Sequence, residues 1–279
     1  MLSFGMLACA AIVVPASIVV NHVRRRARRR RFMQEPANPH WTNIVEQNVA
    51  LYHILPEGLK TRLFGHMHNF LHEKHFEGCG GLTMSEEIRV TIAAQACILL
   101  LNTDRSTYFP KCDSILVYPS AYLADHKVDM GSHVIAEKSA RLGESWTHGI
   151  VVLAWDHVKQ RALDVEGGHN VVLHEFAHQL DQEDGQGDGA PLLEHRSSYA
   201  SWARVFTGEY EHLRWKAHHG VKDVMDLYGA TDPAEFFAVA TETFFEKGAA
   251  LRNKHPQLYE QLKRYYKLDP ATWNRTHQP

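Results

Sequence analysis

The sequence predicts an α+β domain, mostly helical with a small sheet, preceded by an N-terminal transmembrane helix. Three observations carry this. Apolar residues recur at helical spacing through most of the body. Two short runs rich in β-branched residues interrupt them, Ser114–Tyr118 and Gly149–Trp155. The chain also opens on an uncharged stretch, Leu2 to Val20, that runs straight into arginines. Helices packed around a small sheet bury both periodicities in one core, and 279 residues are ample for that.

Between Leu2 and Val20 only Ser3 and Ser17 are polar. At about 1.5 Å per residue the stretch spans a hydrocarbon core of ~30 Å. Arg24 to Arg26 and Arg28 to Arg31 follow the apolar stretch, the reverse of a secretory signal peptide. Because arginines stay cytoplasmic, the expectation is a single-pass protein of the bacterial inner membrane with its body in the cytoplasm. The organisation expected is a transmembrane anchor at 1–22, a basic juxtamembrane segment and linker at 23–41, and one domain at 42–279.

Within the body, Gln34 to Trp41 carries two prolines and reads as linker. Helices are expected from Trp41 to Leu55 and from Pro56 to Lys74, with a break at Cys79-Gly80-Gly81. Thr83-Met84-Ser85-Glu86 reads as a capping box opening a helix to about Leu101. Its apolar run Val90 to Leu101 is too short to cross a bilayer and is read as core. Val171 to Asp181 is expected as a helix and Asp184 to Gly189 as a loop. Further helices are expected over Ser197–His218, Pro233–Lys247 and Pro256–Lys267.

Composition narrows the function. The chain has 30 basic and 32 acidic side chains. Without the seven clustered arginines, 23 basic face 32 acidic residues, a net charge of −9. Such an acidic body argues against direct nucleic-acid binding. Four scattered cysteines without a C-x-x-C build no zinc ribbon and suit a reducing compartment. Histidine, the commonest metal ligand, is the unusual residue, with 20 copies.

Two of these histidines stand in His174-Glu175-Phe176-Ala177-His178, an H-E-x-x-H pattern. On a helix, residues i and i+4 lie one above the other, so both imidazoles can grip one zinc ion. Glu175, one position round, can act as general base on an activated water. Leu173, Phe176, Ala177 and Leu180 form the opposite, core-facing stripe. A third ligand must come from elsewhere. Asp181 lies on the histidine face and suits orienting an imidazole. Asp184, Glu235 and Glu242 are further carboxylates; Asp232 caps the helix that Glu235 opens, and Pro233 suits its first position. His66, His68, His72 and His75 share one helix and read as an exposed face.

H-E-F-A-H-Q-L-D together with Y-G-A-T-D-P-A-E-F-F-A resembles the MtfA (Mlc titration factor A) family of zinc metallopeptidases. The same motif pair is similar to the catalytic domain of anthrax lethal factor. Trp146, in Gly143 to Trp146 ahead of a strand, also fits. The resemblance covers roughly Leu55 to Lys267. It implies a zincin-like, gluzincin-type domain with one Zn2+ per chain held by His174, His178 and Glu235. Glu175 is then the catalytic base, and Tyr228, seven residues before Glu235, supports the reaction. It further implies aminopeptidase-like hydrolysis of peptide or protein substrates and binding to a transcriptional repressor such as Mlc. The strand Gly149–Trp155 is expected to be an edge that holds an extended substrate. The alternative is a non-catalytic, membrane-tethered binding module that sequesters a regulator, with zinc serving structure.

Overall fold

The computed structural model describes residues 20–102, 108–120, 143–146, 149–163 and 169–273. Helix α1 covers 20–32. Then follow α2 (Pro39–Asn48), α3 (Ala50–Ile54), α4 (Glu57–Glu73), β1 (His75–Gly78), α5 (Glu86–Ile98), β2 (Ser114–Tyr118), β3 (Gly143–Trp146) and β4 (Ile150–Ala154). The remainder is helical: α6 (Trp155–Ala162), α7 (Val171–Asp181), α8 (Ser198–His219), α9 (Pro233–Glu246), α10 (Gly248–Lys254) and α11 (Pro256–Tyr266).

The four strands lie in the order β1-β2-β4-β3. β1 and β4 run parallel to β2, and β3 is antiparallel to β4. Helix α5 is the crossover between β1 and β2, as a parallel pair requires. This order corrects the expectation for Gly149–Trp155. Its strand β4 is paired on both sides, so its backbone groups are spent on the sheet, and the edge beside it is β3. The chain β1 and β3 contribute was not expected as strand at all. Both are four residues long, too short for a period-2 pattern to register.

The core explains the helices. α5 is buried from Val90 onward, as its apolar run predicts. Its cap is Ser85, which accepts from the Ile88 N–H at 3.2 Å, two residues later than the expected box at Thr83. Phe70, Phe109 and Phe176 meet at centroid distances of 4.7 to 6.0 Å and lock α7 to α4. Helix α9 is buried from Phe236 to Glu246. Its phenylalanines pack on Trp202 and Phe206 of α8 and on Tyr266 of α11.

The N-terminal expectation needs correction. The apolar stretch Leu2–Val20 lies outside the described residues except for Val20. Among the described residues, no helix is long and apolar enough to cross a membrane, which removes the support for a single-pass inner-membrane protein. The arginine block lies in helix α1, which docks on α4. Arg29 makes two 2.7 Å contacts with Glu73 and Arg25 adds a third at 3.0 Å. These hold the Glu73 carboxyl below its ordinary range, against the opposing effect of burial. Just beyond α1, Met33 crosses α4 so closely that a Cβ on Gly65 would lie 2.8 Å from its Cα. Only glycine permits that approach.

The same docking half-buries His68, expected on an exposed face, against Phe32 and Trp41. His72 stays exposed as expected, with the Phe32 edge beside it, while His75, also exposed, falls on β1 and not on the helix. His66 is buried, its Nδ1 3.0 Å from the Tyr108 hydroxyl, and burial lowers its pKa to about 4.

Candidate metal centre

Helix α7 forms where the sequence placed it. Asn170 caps it by accepting from the Leu173 N–H at 3.0 Å. Leu173, Phe176, Ala177 and Leu180 enter the core, which turns His174 and His178 to the opposite side. Helix α9 starts at Pro233, capped by Asp232, which accepts from the Glu235 N–H at 2.9 Å. Glu235 therefore sits in the first turn of α9 and faces the histidine side of α7.

Three side chains meet there. One ligand atom each from His174, His178 and Glu235 lies within 4.8 Å of the others. Glu235 Oε2 is 2.9 Å from His174 Nε2 and 3.5 Å from His178 Nε2. The two Nε2 atoms are 3.2 Å apart. Glu235 uses its other oxygen, Oε1, to accept from the Tyr228 hydroxyl at 3.2 Å. Glu175 is 3% exposed, and its charge acts on His174.

The back of the site distinguishes the other carboxylates. Glu242, two turns after Glu235, lies with Oε1 2.6 Å from His174 Nδ1. It is thus the partner that orients an imidazole, the role read for Asp181. Asp181 instead accepts from the Gly189 N–H at 2.9 Å, and burial raises its carboxyl to about 6. Asp184 is exposed and accepts from the Gln186 N–H of its own loop. Position i+7 from Glu235 was the one sequence signal for Glu242.

The donor set fits a divalent cation. With the Nδ1 proton of His174 given to Glu242, its Nε2 lone pair points at a carboxylate oxygen and at a second imidazole nitrogen. Three electron pairs converging in this way repel unless a proton or a metal sits among them. In the protein alone a proton suffices. Burial opposes charge on His174, but Glu242 and Glu235 outweigh it, and its pKa stands well above the ordinary value. Glu235 is correspondingly held far below its own: burial opposes this, and the histidines prevail. Two nitrogens and one carboxylate oxygen suit zinc.

Comparison with known proteins agrees with this chemistry. The family profile described as glucose-regulated metallo-peptidase M90 matches residues 23–267. An uncharacterized protein of Synechocystis sp. is 41% identical over 245 residues, covering 87% of this chain and 89% of that one. The Mlc titration factor A of Serratia proteamaculans is 31% identical over 226 residues, 80% of this chain and 85% of its own. That of Yersinia pestis is 29% identical over 228 residues, 80% and 83%.

Proposed function

This chain belongs to the glucose-regulated metallo-peptidase M90 family, and from that premise we propose that it is a gluzincin-type zinc peptidase acting on peptide or protein substrates. Membership of a metallopeptidase family implies a metal. In our reading the metal is one zinc ion, held by His174, His178 and Glu235. The observation that carries the reading is the convergence of these three side chains from α7 and α9 within 4.8 Å, beside the carboxylate of Glu175.

Zinc bound there supplies a Lewis acid that polarises a carbonyl and acidifies water. The remaining steps belong to the chain. Glu175 takes the proton of the attacking water and passes it to the leaving amine. Tyr228 turns its O–H from Glu235 to the carbonyl oxygen as charge develops on it. Glu242 keeps the His174 ring in place. An extended substrate pairs along β3, the sheet edge next to β4. The aminopeptidase-like character implied by the resemblance is the finer part of the proposal.

The test is a panel of peptides with free and blocked N-termini, run with metal analysis on wild type and Glu175→Gln. Wild type should carry one zinc and cleave. Glu175→Gln should keep zinc and lose hydrolysis by about 10²–10⁴-fold. Equal turnover by the two proteins would overturn the assignment. A second reading is a binding module that sequesters a transcriptional repressor such as Mlc. The name of the Serratia relative, Mlc titration factor A, favours it. Repressor capture by Glu175→Gln at wild-type strength would support that reading.

A further inference from the structure

Tyr228 stands on a short 3-10 turn, Leu227–Ala230, and is 43% exposed. The turn packs through the buried Gly229 against Leu213 of α8 and Val239 of α9, and the Tyr228 ring lies 6.1 Å from that of His174. Asp226 adds a tether at the start of the turn: its Oδ1 accepts from the Tyr228 backbone N–H at 2.6 Å. The second oxygen of Asp226 lies 3.1 Å from His169 Nδ1. His169 immediately precedes Asn170, the cap of α7. A ring of contacts therefore closes around the site. It runs from His174 to Glu235 at 2.9 Å, to the Tyr228 hydroxyl at 3.2 Å, through Asp226 to His169, and back along the first turn of α7.

We propose that His169 and Asp226 are positioning residues for Tyr228, tying the tyrosine turn to the start of α7 so that the phenol keeps its reach when it leaves Glu235. His169 touches no reacting atom. It acts by denying Asp226, and with it the turn, the freedom to drift from the helix carrying His174 and His178. This rests on Tyr228 being the hydroxyl donor of the proposed peptidase. Near a reaction centre even an ångström of drift is costly.

The experiment uses the zinc-loaded chain and compares wild type, His169→Ala, His169→Asn, Tyr228→Phe and the double variant His169→Ala/Tyr228→Phe. His169→Ala should lower kcat about tenfold, with KM within about twofold and zinc content unchanged. His169→Asn, whose amide nitrogen takes the place of Nδ1 facing Asp226, should recover most of the loss. In the Tyr228→Phe background His169→Ala should cost nothing further, because its effect runs through the hydroxyl. An equal loss in both backgrounds, or no loss in wild type, overturns the proposal. A readout independent of turnover is the ¹⁹F signal of 3-fluorotyrosine placed at position 228. It should shift or broaden in His169→Ala and return in His169→Asn; an unchanged signal overturns the proposal even if no substrate is cleaved. Failure of the peptidase reading looks different: wild type and Glu175→Gln would then be equally inactive while the ¹⁹F response persists.

Discussion

Glu242 Oε1 lies 2.6 Å from His174 Nδ1, on the side of the ring away from Glu235. One side chain of α9 thus orients the imidazole while another, two turns earlier, faces its free nitrogen. A carboxylate behind a ligand imidazole fixes its tautomer and raises its basicity. Glu242→Gln keeps the shape and removes the charge. It should weaken zinc binding about 10–100-fold while the fold stays intact, measured by competition with a chromophoric chelator. Unchanged affinity would assign Glu242 to packing alone.

Tyr228→Phe separates two roles for one hydroxyl. If the phenol donates to the oxygen that gains charge, kcat falls by about 10²-fold while KM and zinc affinity hold. If its duty is to steady Glu235, which it reaches at 3.2 Å, zinc affinity falls instead. Steady-state kinetics and metal titration on one preparation decide between them.

The part of the site on α7 was legible because a helix period dictates it. His174 and His178 must share a face once Leu173, Phe176 and Leu180 are committed to the core. The helix opened by Glu235 was equally plain from Asp232 and Pro233. Less legible were contacts that depend on long-range packing. Nothing local distinguishes Glu242 from Asp181 as the partner of His174; the crossing of α7 and α9 decides it. Likewise, the arginines of α1 read as a membrane flank because their partner, Glu73, is more than forty residues away. β3 and α10 were missed because four and seven residues carry little periodicity. α6 was missed because its start continues the apolar strand β4 without a break.

Gly189 joins the two helices of the site. Its N–H bonds to Asp181 at the end of α7, its carbonyl accepts from the Trp202 indole of α8 at 3.0 Å, and its backbone lies against Pro233 at the start of α9. Its φ is +79°, and a Cβ there would fall 2.4 Å from the Pro233 carbonyl oxygen. Gly189→Ala therefore meets both a left-handed backbone and a collision with main chain. A loss of about 2–4 kcal/mol in unfolding free energy is expected. Because the displaced Pro233 lies two residues before Glu235, zinc affinity should fall too. A stable variant with wild-type affinity would show that α9 is set without this bracket.

A last prediction concerns pH and lies away from the metal centre. His255, 3% exposed, sits between Glu209 Oε2 at 2.7 Å and Asp223 Oδ1 at 3.0 Å, and Lys216 also pairs with Asp223. Burial opposes its charge, but the two carboxylates prevail and raise its pKa to about 9. Asp223 is held below the ordinary carboxylate range: burial opposes this too, and His255 and Lys216 outweigh it. His255 is a base whose folded pKa exceeds its unfolded value of about 6.5. Its contribution is therefore complete below about pH 6.5 and is lost as pH rises through about 9. The loss amounts to about 3 kcal/mol at most. The Asp223 contribution has the opposite sense: it is present above the ordinary aspartate pKa of about 4 and is lost as pH falls below it. The two describe one shared interaction and do not add. Urea unfolding of wild type and His255→Gln at pH 6.5 and 9.5 tests this. Wild type should be the more stable at pH 6.5, and the variant should lose most of that difference. An equal pH dependence in both proteins would remove His255 as its source.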